Sequence, residues 1–278
     1  MPSEAPIGIF DSGIGGLSVL RHIRSLLPNE HLIYVSDRAH LPYGDKDTDF
    51  IVERSRTITQ FLISKNVKAV VIACNTATAA AVKVLRETYQ LPIIGMEPGV
   101  KPAIMQSHSG IVGVLATHGT LNSHKFKMLL DDHAEGSEVI ICPCEGWVEA
   151  IEQNGHDHRI TRQIISQQLQ PILHRGVDTL VLGCTHYPFV KNMIADEAGP
   201  DISIIDTGPA VAKQLARQLS AHGLLSELTD PGSEAFWCSA PANQTQERIE
   251  RLLNNQVLVQ ALPEQNSAVN PSINPTII

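Results

Sequence analysis

Between positions 7 and 205 the chain carries eight short apolar runs, at 7–10, 32–35, 69–73, 92–95, 111–115, 139–142, 179–183 and 202–205, dominated by Ile, Val and Leu. Each run is near-continuous rather than alternating, the pattern of a strand covered on both faces. The segments between them have helical spacing. Ile51, Ile58, Phe61 and Leu62 fall on one face of 50–65, and Ala79, Val82 and Leu85 on one face of 76–88. This alternation admits few folds. It predicts an α/β protein with parallel sheets and helices packed over them.

An internal repeat narrows the prediction. Ala69-Val-Val-Ile-Ala-Cys74-Asn-Thr is matched by Thr179-Leu-Val-Leu-Gly-Cys184-Thr-His, and the run at 7 by the run at 111. Gly8 precedes Cys74 by 66 positions and Gly113 precedes Cys184 by 71. Two similar α/β units of about 100 residues each fit that spacing. Further strands at 235–239 and 256–260 flank a helix at 243–253. The expected division is 1–97 with 208–264 as the first unit and 98–207 as the second, followed by a loosely ordered Asn-, Ser- and Pro-rich tail at 265–278. Open α/β sheets bind ligands beyond the carboxyl ends of their strands. If the two units face each other, both cysteines point into one cleft.

Composition removes several classes of function. A formal charge of -8, with acidic residues spread along the 278 positions, argues against a nucleic-acid groove, which needs clustered Lys and Arg. The apolar runs are far shorter than the roughly 20 residues a membrane helix requires, and the first residues lack the basic and apolar regions of a signal peptide. The chain therefore reads as cytoplasmic. In that compartment its five cysteines are expected as thiols, metal ligands or catalysts rather than disulfides.

Cys74 ends an apolar run and precedes Asn75-Thr76, residue types that begin helices. A thiol there can have its thiolate stabilised by unpaired N–H groups, but a lone buried cysteine is as often packing. Cys184 occupies the equivalent place, followed by Thr185, His186 and Pro188, and two such cysteines are harder to assign to packing. His186 is close enough to tune the second thiol. The turn Asp11-Ser-Gly-Ile-Gly-Gly16 lacks both the dinucleotide spacing and a Walker lysine. It predicts a tight strand-to-helix turn whose N–H groups approach a small anion, with Asp11 either at the mouth of the cleft or capping the helix. Cys142-Pro-Cys144 is too closely spaced for a zinc knuckle, His156-Asp-His158 is an isolated polar turn, and Cys238 beside Trp237 reads as core. No lysine announces a pyridoxal Schiff base.

Four ordered motifs carry a resemblance: Ile-Phe-Asp11-Ser12-Gly-Ile-Gly-Gly-Leu, Leu-Pro42-Tyr43-Gly44, Ala-Cys74-Asn75-Thr76-Ala and Leu-Gly-Cys184-Thr185-His186-Tyr-Pro. Together they resemble the glutamate racemases of the aspartate/glutamate racemase family, from about Ile7 to Gly223. Thr78 stands where the family often has Ser. The resemblance implies two similar α/β domains with the active site between them, and interconversion of L- and D-glutamate without cofactor or metal, supplying D-glutamate for peptidoglycan. It places acid and base on Cys74 and Cys184, with Asp11, His186 and Glu152 assisting. Substrate contacts carry over to Asp11, Ser12, Pro42, Tyr43, Gly44, Asn75, Thr76, Thr185 and His186, with Thr117 and Thr120 as further pocket hydroxyls. The partner it implies is the small-molecule substrate, with no nucleic acid or membrane; a homodimer stays open.

The chemistry suits these residue types. Loss of an α-proton leaves a carbanion that must be reprotonated from its other face, and two bases on facing units solve that geometry. One thiol must start as thiolate and the other protonated. Asp11 is expected to help Cys74, and His186 to help Cys184. Three rivals stand beside this reading: an aspartate racemase with the same thiol pair, a cysteine-nucleophile hydrolase of the same architecture, and a non-catalytic small-anion binder.

Overall fold

The computed structural model describes residues 3–154 and 158–263. The expected tail at 265–278 and His156 of the polar turn lie outside them. Among the described residues ten strands are found: β1 (Ile7–Asp11), β2 (Leu32–Ser36), β3 (Ala69–Ile72), β4 (Ile93–Ile94), β5 (Ile111–Ala116), β6 (Glu138–Pro143), β7 (Thr179–Gly183), β8 (Ser203–Asp206), β9 (Glu234–Cys238) and β10 (Val259–Ala261). They form two sheets, in the orders β10-β9-β2-β1-β3-β4 and β6-β5-β7-β8. Every pairing is parallel. The α/β reading with two parallel sheets is thus the observed fold.

The orders also expose the repeat. β2-β1-β3-β4 and β6-β5-β7-β8 are the same arrangement, and the first sheet adds β9 and β10 beside β2. Cys74 follows β3 and Cys184 follows β7, so the two cysteines occupy equivalent places. In each sheet the chain moves from the first strand to one side and then crosses to the other, creating the switch point at which such sheets receive ligands.

β1, β3 and β7 are buried along their whole length, as near-continuous apolar runs require. Helix Leu17–Leu26 covers one face of the first sheet with Leu17, Leu20 and Ile23. Helices Thr48–Ser64 and Asn75–Thr88 cover the other with Ile58, Leu62, Ala81 and Leu85. In the second sheet, helix Arg159–Leu173 packs Ile165, Leu169 and Ile172 against Leu180 and Leu182. Val100, Ala103 and Phe126 cover the opposite face.

Two runs depart from expectation. β6 is an edge strand, and its Ile141 is exposed, so only one face of that run is core. The last strand begins at Val259 rather than at 256. Helix Ala242–Leu253 explains the delay: Glu250 Oε1 accepts the Val257 N–H and Gln246 Oε1 the Val259 N–H. Side chains thus satisfy the backbone there before the ladder starts. No helix among the described residues is long and apolar enough to cross a membrane.

Candidate active site

A narrow cavity of about 20 Å³ lies where the loops after β1, β2, β3, β5, β6 and β7 meet. Eleven residues singled out from the sequence line it: Ser12, Pro42, Tyr43, Gly44, Cys74, Asn75, Thr76, Thr117, Cys184, Thr185 and His186. Val148 and Gly183 complete the wall. The two cysteines reach it from different sheets, and both are nearly buried, at 5% and 8% exposure. Asp11, Thr120 and Glu152 stand one layer behind, each touching residues of the lining.

Cys74 caps helix Asn75–Thr88, and its Sγ accepts the Ala77 N–H at 3.4 Å. It also donates to Ser12 Oγ at 3.8 Å, and the Ser12 hydroxyl donates to Asp11 Oδ1 at 3.3 Å. Asp11 therefore reaches this thiol through Ser12. Burial pushes the Cys74 thiol well above its ordinary range, with the charges of Asp11 and Cys184 adding to the effect; the Ala77 N–H and Ser12 oppose it. Asp11 is itself fully buried. Burial raises its carboxyl, against the pull of His186 and of the Gly16 and Ser12 N–H groups. Those groups donate to it at 2.5 and 2.7 Å.

The glycine turn differs from its expected use. Its N–H groups approach anions, but the anions are the protein's own carboxylates: Ser12 and Gly16 N–H go to Asp11, and Ile14 N–H goes to Glu152 Oε1 at 2.8 Å. The small side also serves packing. A Cβ on Gly15 would lie 2.4 Å from His186 Nδ1, and one on Gly13 would lie 2.3 Å from Glu152 Oε1. No side chain fits between this turn and the loop after β7.

The second thiol has a different retinue. Cys184 Sγ lies 3.8 Å from His186 Nδ1, and His186 Nε2 lies 2.9 Å from Glu152 Oε1. Burial works against charge on His186, but Cys184 and Glu152 outweigh it and hold the imidazole pKa well above the ordinary value. Burial likewise pushes Glu152 up, yet His186, the Ile14 N–H and Arg38 bring its carboxyl below the usual range. The result is a buried imidazolium–carboxylate pair beside the thiol. Arg38 was not foreseen. It sits in the short turn Arg38–His40 after β2 and donates from Nε to Glu152 Oε2 at 3.0 Å. Nothing in its local sequence marks it, because Glu152 is 114 positions away.

Tyr43 is held by a second unforeseen residue. Its hydroxyl donates to Asp37 Oδ2 at 2.6 Å, and Arg54 grips the same carboxylate through Nε and Nη2 at 2.9 and 2.8 Å. Burial raises the Asp37 carboxyl, but Arg54 and Tyr43 bring it below its ordinary value. On the far wall Thr76 Oγ1 lies 2.9 Å from Thr117 Oγ1 and 3.1 Å from Thr120 Oγ1, joining the loops of the two sheets. Asn75 has both side-chain amide atoms buried without a partner. At the cavity wall, such an amide is equipped to bind both donors and acceptors on a small polar ligand.

Cys142, Cys144 and Cys238 lie apart from this chemistry. Cys144 Sγ sits 3.8 Å from Cys142 Sγ at the end of β6, and Cys238 is fully buried in the first sheet's core. His158 caps helix Arg159–Leu173.

Residues 7–215 match the family model described as Asp/Glu/hydantoin racemase. The chain belongs to that family. A glutamate racemase from Methylococcus capsulatus is 55% identical over 240 residues, covering 86% of this chain and 89% of the relative. Among solved structures, the Escherichia coli glutamate racemase in complex with L-glutamate and the activator UDP-MurNAc-Ala is 32% identical, with a TM-score of 0.82 over 92% of this chain and 98% of that one. The Francisella tularensis glutamate racemase in complex with D-glutamate is 31% identical, with a TM-score of 0.81 over 94% and 98%. The racemase family and its α/β architecture thus agree with the sequence motifs.

Proposed function

We propose that this protein is a glutamate racemase that interconverts L- and D-glutamate by two-base proton transfer, supplying D-glutamate for peptidoglycan. The observation that carries the reading is the pair of thiols: Cys74 and Cys184 enter one cavity from equivalent positions in two repeated sheets. Relatives that hold L-glutamate in one structure and D-glutamate in another support it, since a racemase must accept both.

The geometry suggests an order of events. An imidazolium 3.8 Å from Cys184 Sγ stabilises negative charge there, while burial and Asp11 keep Cys74 protonated. In one direction of reaction Cys184 then removes an α-proton, and Cys74 is the thiol that delivers one to the other face. The substrate ammonium, entering beside Asp11, offsets the charge that disfavours a Cys74 thiolate, so the reverse reaction starts from the complementary form. The unpartnered Asn75 amide, with Thr76 and Thr117, holds the carboxylates by hydrogen bonds, beside Tyr43 and Thr185, whose hydroxyls already donate to Asp37 and Asp11. Proton transfer by positioned groups contributes about 10²–10⁴-fold, and preorganised donors at the developing charge supply the rest. Both transfers use thiols, so the reading calls on no cofactor.

Incubation with L-glutamate in D₂O, with chelator and without pyridoxal phosphate, tests the proposal. Loss of optical rotation with α-deuterium incorporation is expected; unchanged rotation with no exchange rules it out. L-Aspartate as a parallel substrate separates the aspartate racemase alternative. The line Cys184–His186–Glu152 also has the connectivity of a nucleophile, base and orienting carboxylate. A hydrolase built on it would keep its activity in Cys74→Ser, whereas the racemase would not.

A further inference from the structure

Glu152 is bound from three directions. Its Oε1 takes the Ile14 N–H and faces His186 Nε2, while its Oε2 takes Arg38 Nε–H. These donors come from the loops after β1, β7 and β2. The carboxylate is 2% exposed and the Arg38 side chain 16%. An ionised carboxylate this deep is costly unless a permanent charge meets it, and an unpaired one takes up a proton instead. A protonated Glu152 would be a poor acceptor for an imidazolium.

We propose that Arg38 is a positioning residue for proton transfer at Cys184, keeping Glu152 in the ionised form that holds a charged His186 against the thiol. The inference rests on the racemase reading above. Its logic is a relay: Arg38 to Glu152, Glu152 to His186, His186 to Cys184, each link a direct contact of 3.0, 2.9 and 3.8 Å.

Among the described residues, no other charge around the relay except His186 is hydrogen-bonded to Glu152. Asp11 faces His186 from the end of β1 and its charge also works against ionisation of Glu152 through space. Tyr34 bonds to the Gly13 carbonyl and stays neutral. Arg248, on helix Ala242–Leu253, feels both Glu152 and Arg38, but its Nη1 is buried with no hydrogen-bond partner. Cys74 has no equivalent device, since its neighbours are Ser12 and Asp11. Arg38 therefore serves one thiol and not the other.

That asymmetry has a kinetic signature. Racemisation has an equilibrium constant of one, so kcat/KM must fall equally in both directions whatever is mutated. Isotope effects are free of that constraint. When the Cys184 step is slowed, the α-deuterium effect rises only for the enantiomer whose proton Cys184 removes; for the other, the solvent deuterium effect rises.

Arg38→Met keeps most of the apolar stem and deletes the charge; Arg38→Lys restores a charge. Arg38→Met is expected to lower kcat/KM by about ten- to a hundredfold, the loss typical of a buried charge-assisted hydrogen bond. Glu152 gains proton affinity and His186 loses it, so His186 sheds its proton at lower pH. The alkaline limb of the kcat/KM profile should move to lower pH by about one unit, with partial return in Arg38→Lys. In ¹⁵N-histidine-labelled protein the His186 ring should titrate at correspondingly lower pH, a readout independent of turnover. An unmoved alkaline limb and His186 titration, even with lowered activity and melting temperature, would reduce Arg38 to a structural salt bridge and overturn the proposal. So would α-deuterium effects that rise equally from L- and D-glutamate. If the wild-type protein fails to racemise glutamate, the functional reading falls, and the His186 titration still decides the role of Arg38.

Discussion

Asp11 Oδ2 accepts the Thr185 hydroxyl at 3.2 Å, joining the end of β1 in one sheet to the residue that follows Cys184 in the other. Ser18 Oγ reinforces the join by donating to the Thr185 carbonyl at 2.9 Å. The carboxylate next to the first thiol is thus located by the loop that carries the second. Thr185→Val preserves shape and deletes the hydroxyl. Loss of one hydrogen bond to a charged group costs about 1.5–3 kcal/mol. A fall of about tenfold or more in kcat/KM is expected, with a melting temperature lower by a few degrees. Steady-state polarimetry and calorimetry check both; wild-type kinetics in the variant would mean that the join is incidental.

Gly15 has no room for even one methyl group, because its Cβ would meet His186 Nδ1 at 2.4 Å and Thr185 Oγ1 at 2.6 Å. Gly15→Ala should push the imidazole off Cys184. Displacements of about 1 Å at a reacting group can cost 10²-fold. The expected outcome is a loss of that order in kcat with a smaller effect on KM, read from Michaelis curves in both directions.

Cys74→Ser and Cys184→Ser should each reduce racemisation by about 10²–10⁴-fold. Because the thiols act as one device, the double variant should be scarcely worse than either single one. Full additivity of the two losses would show that the thiols work independently. Circular dichroism of each variant separates loss of chemistry from loss of fold.

Burial and the nearby carboxylate keep Cys74 a thiol in the free protein. Alkylation of Cys74 by iodoacetamide should therefore be slow at pH 7 and quicken about tenfold per pH unit through pH 9, since only the thiolate reacts. Mass spectrometry of the labelled peptide gives the rate, and a pH-independent Cys74 rate would contradict the electrostatic account.

Asp37 ties Tyr43 and Arg54 together, and its carboxyl is lower in the folded protein than in the unfolded chain. The stability it contributes is therefore fully present above the unfolded value of about 3.9 and is lost as pH falls through the lower folded value. Asp37→Asn should unfold at lower urea than the wild type at pH 6, and the gap between them should narrow below about pH 4. A gap that stays constant from pH 6 to pH 3 would mean that the Asp37 charge contributes nothing.

Much of the architecture was legible because it leaves local imprints. Apolar runs such as 69–73 and 179–183 can be buried on both faces only in a covered parallel sheet. The start of β10 was less so, because whether Val257 bonds to a ladder or to Glu250 depends on the neighbouring helix rather than on its own propensity. At the site, residues adjacent to strand ends were visible as motifs. Asp37 and Arg38 were not, since neither stands in a patterned segment and both act on partners brought by packing.

The division between the two sources is physical. By itself the sequence determined the secondary-structure order, the duplicated half and the location of two thiols at strand ends, because periodicity and apolar runs report how each segment must be buried. Only the tertiary structure decided which polar groups meet: Asp11 with Thr185 across 174 positions, Ile14 with Glu152 across 138, Arg38 with Glu152 across 114. Such partners are chosen by how two sheets face each other, and a contact between distant segments imposes no period on either of them. To the expected pairing of Asp11 with Cys74 and His186 with Cys184, the tertiary structure adds Ser12 as the link behind the first thiol, and Glu152 and Arg38 behind the second.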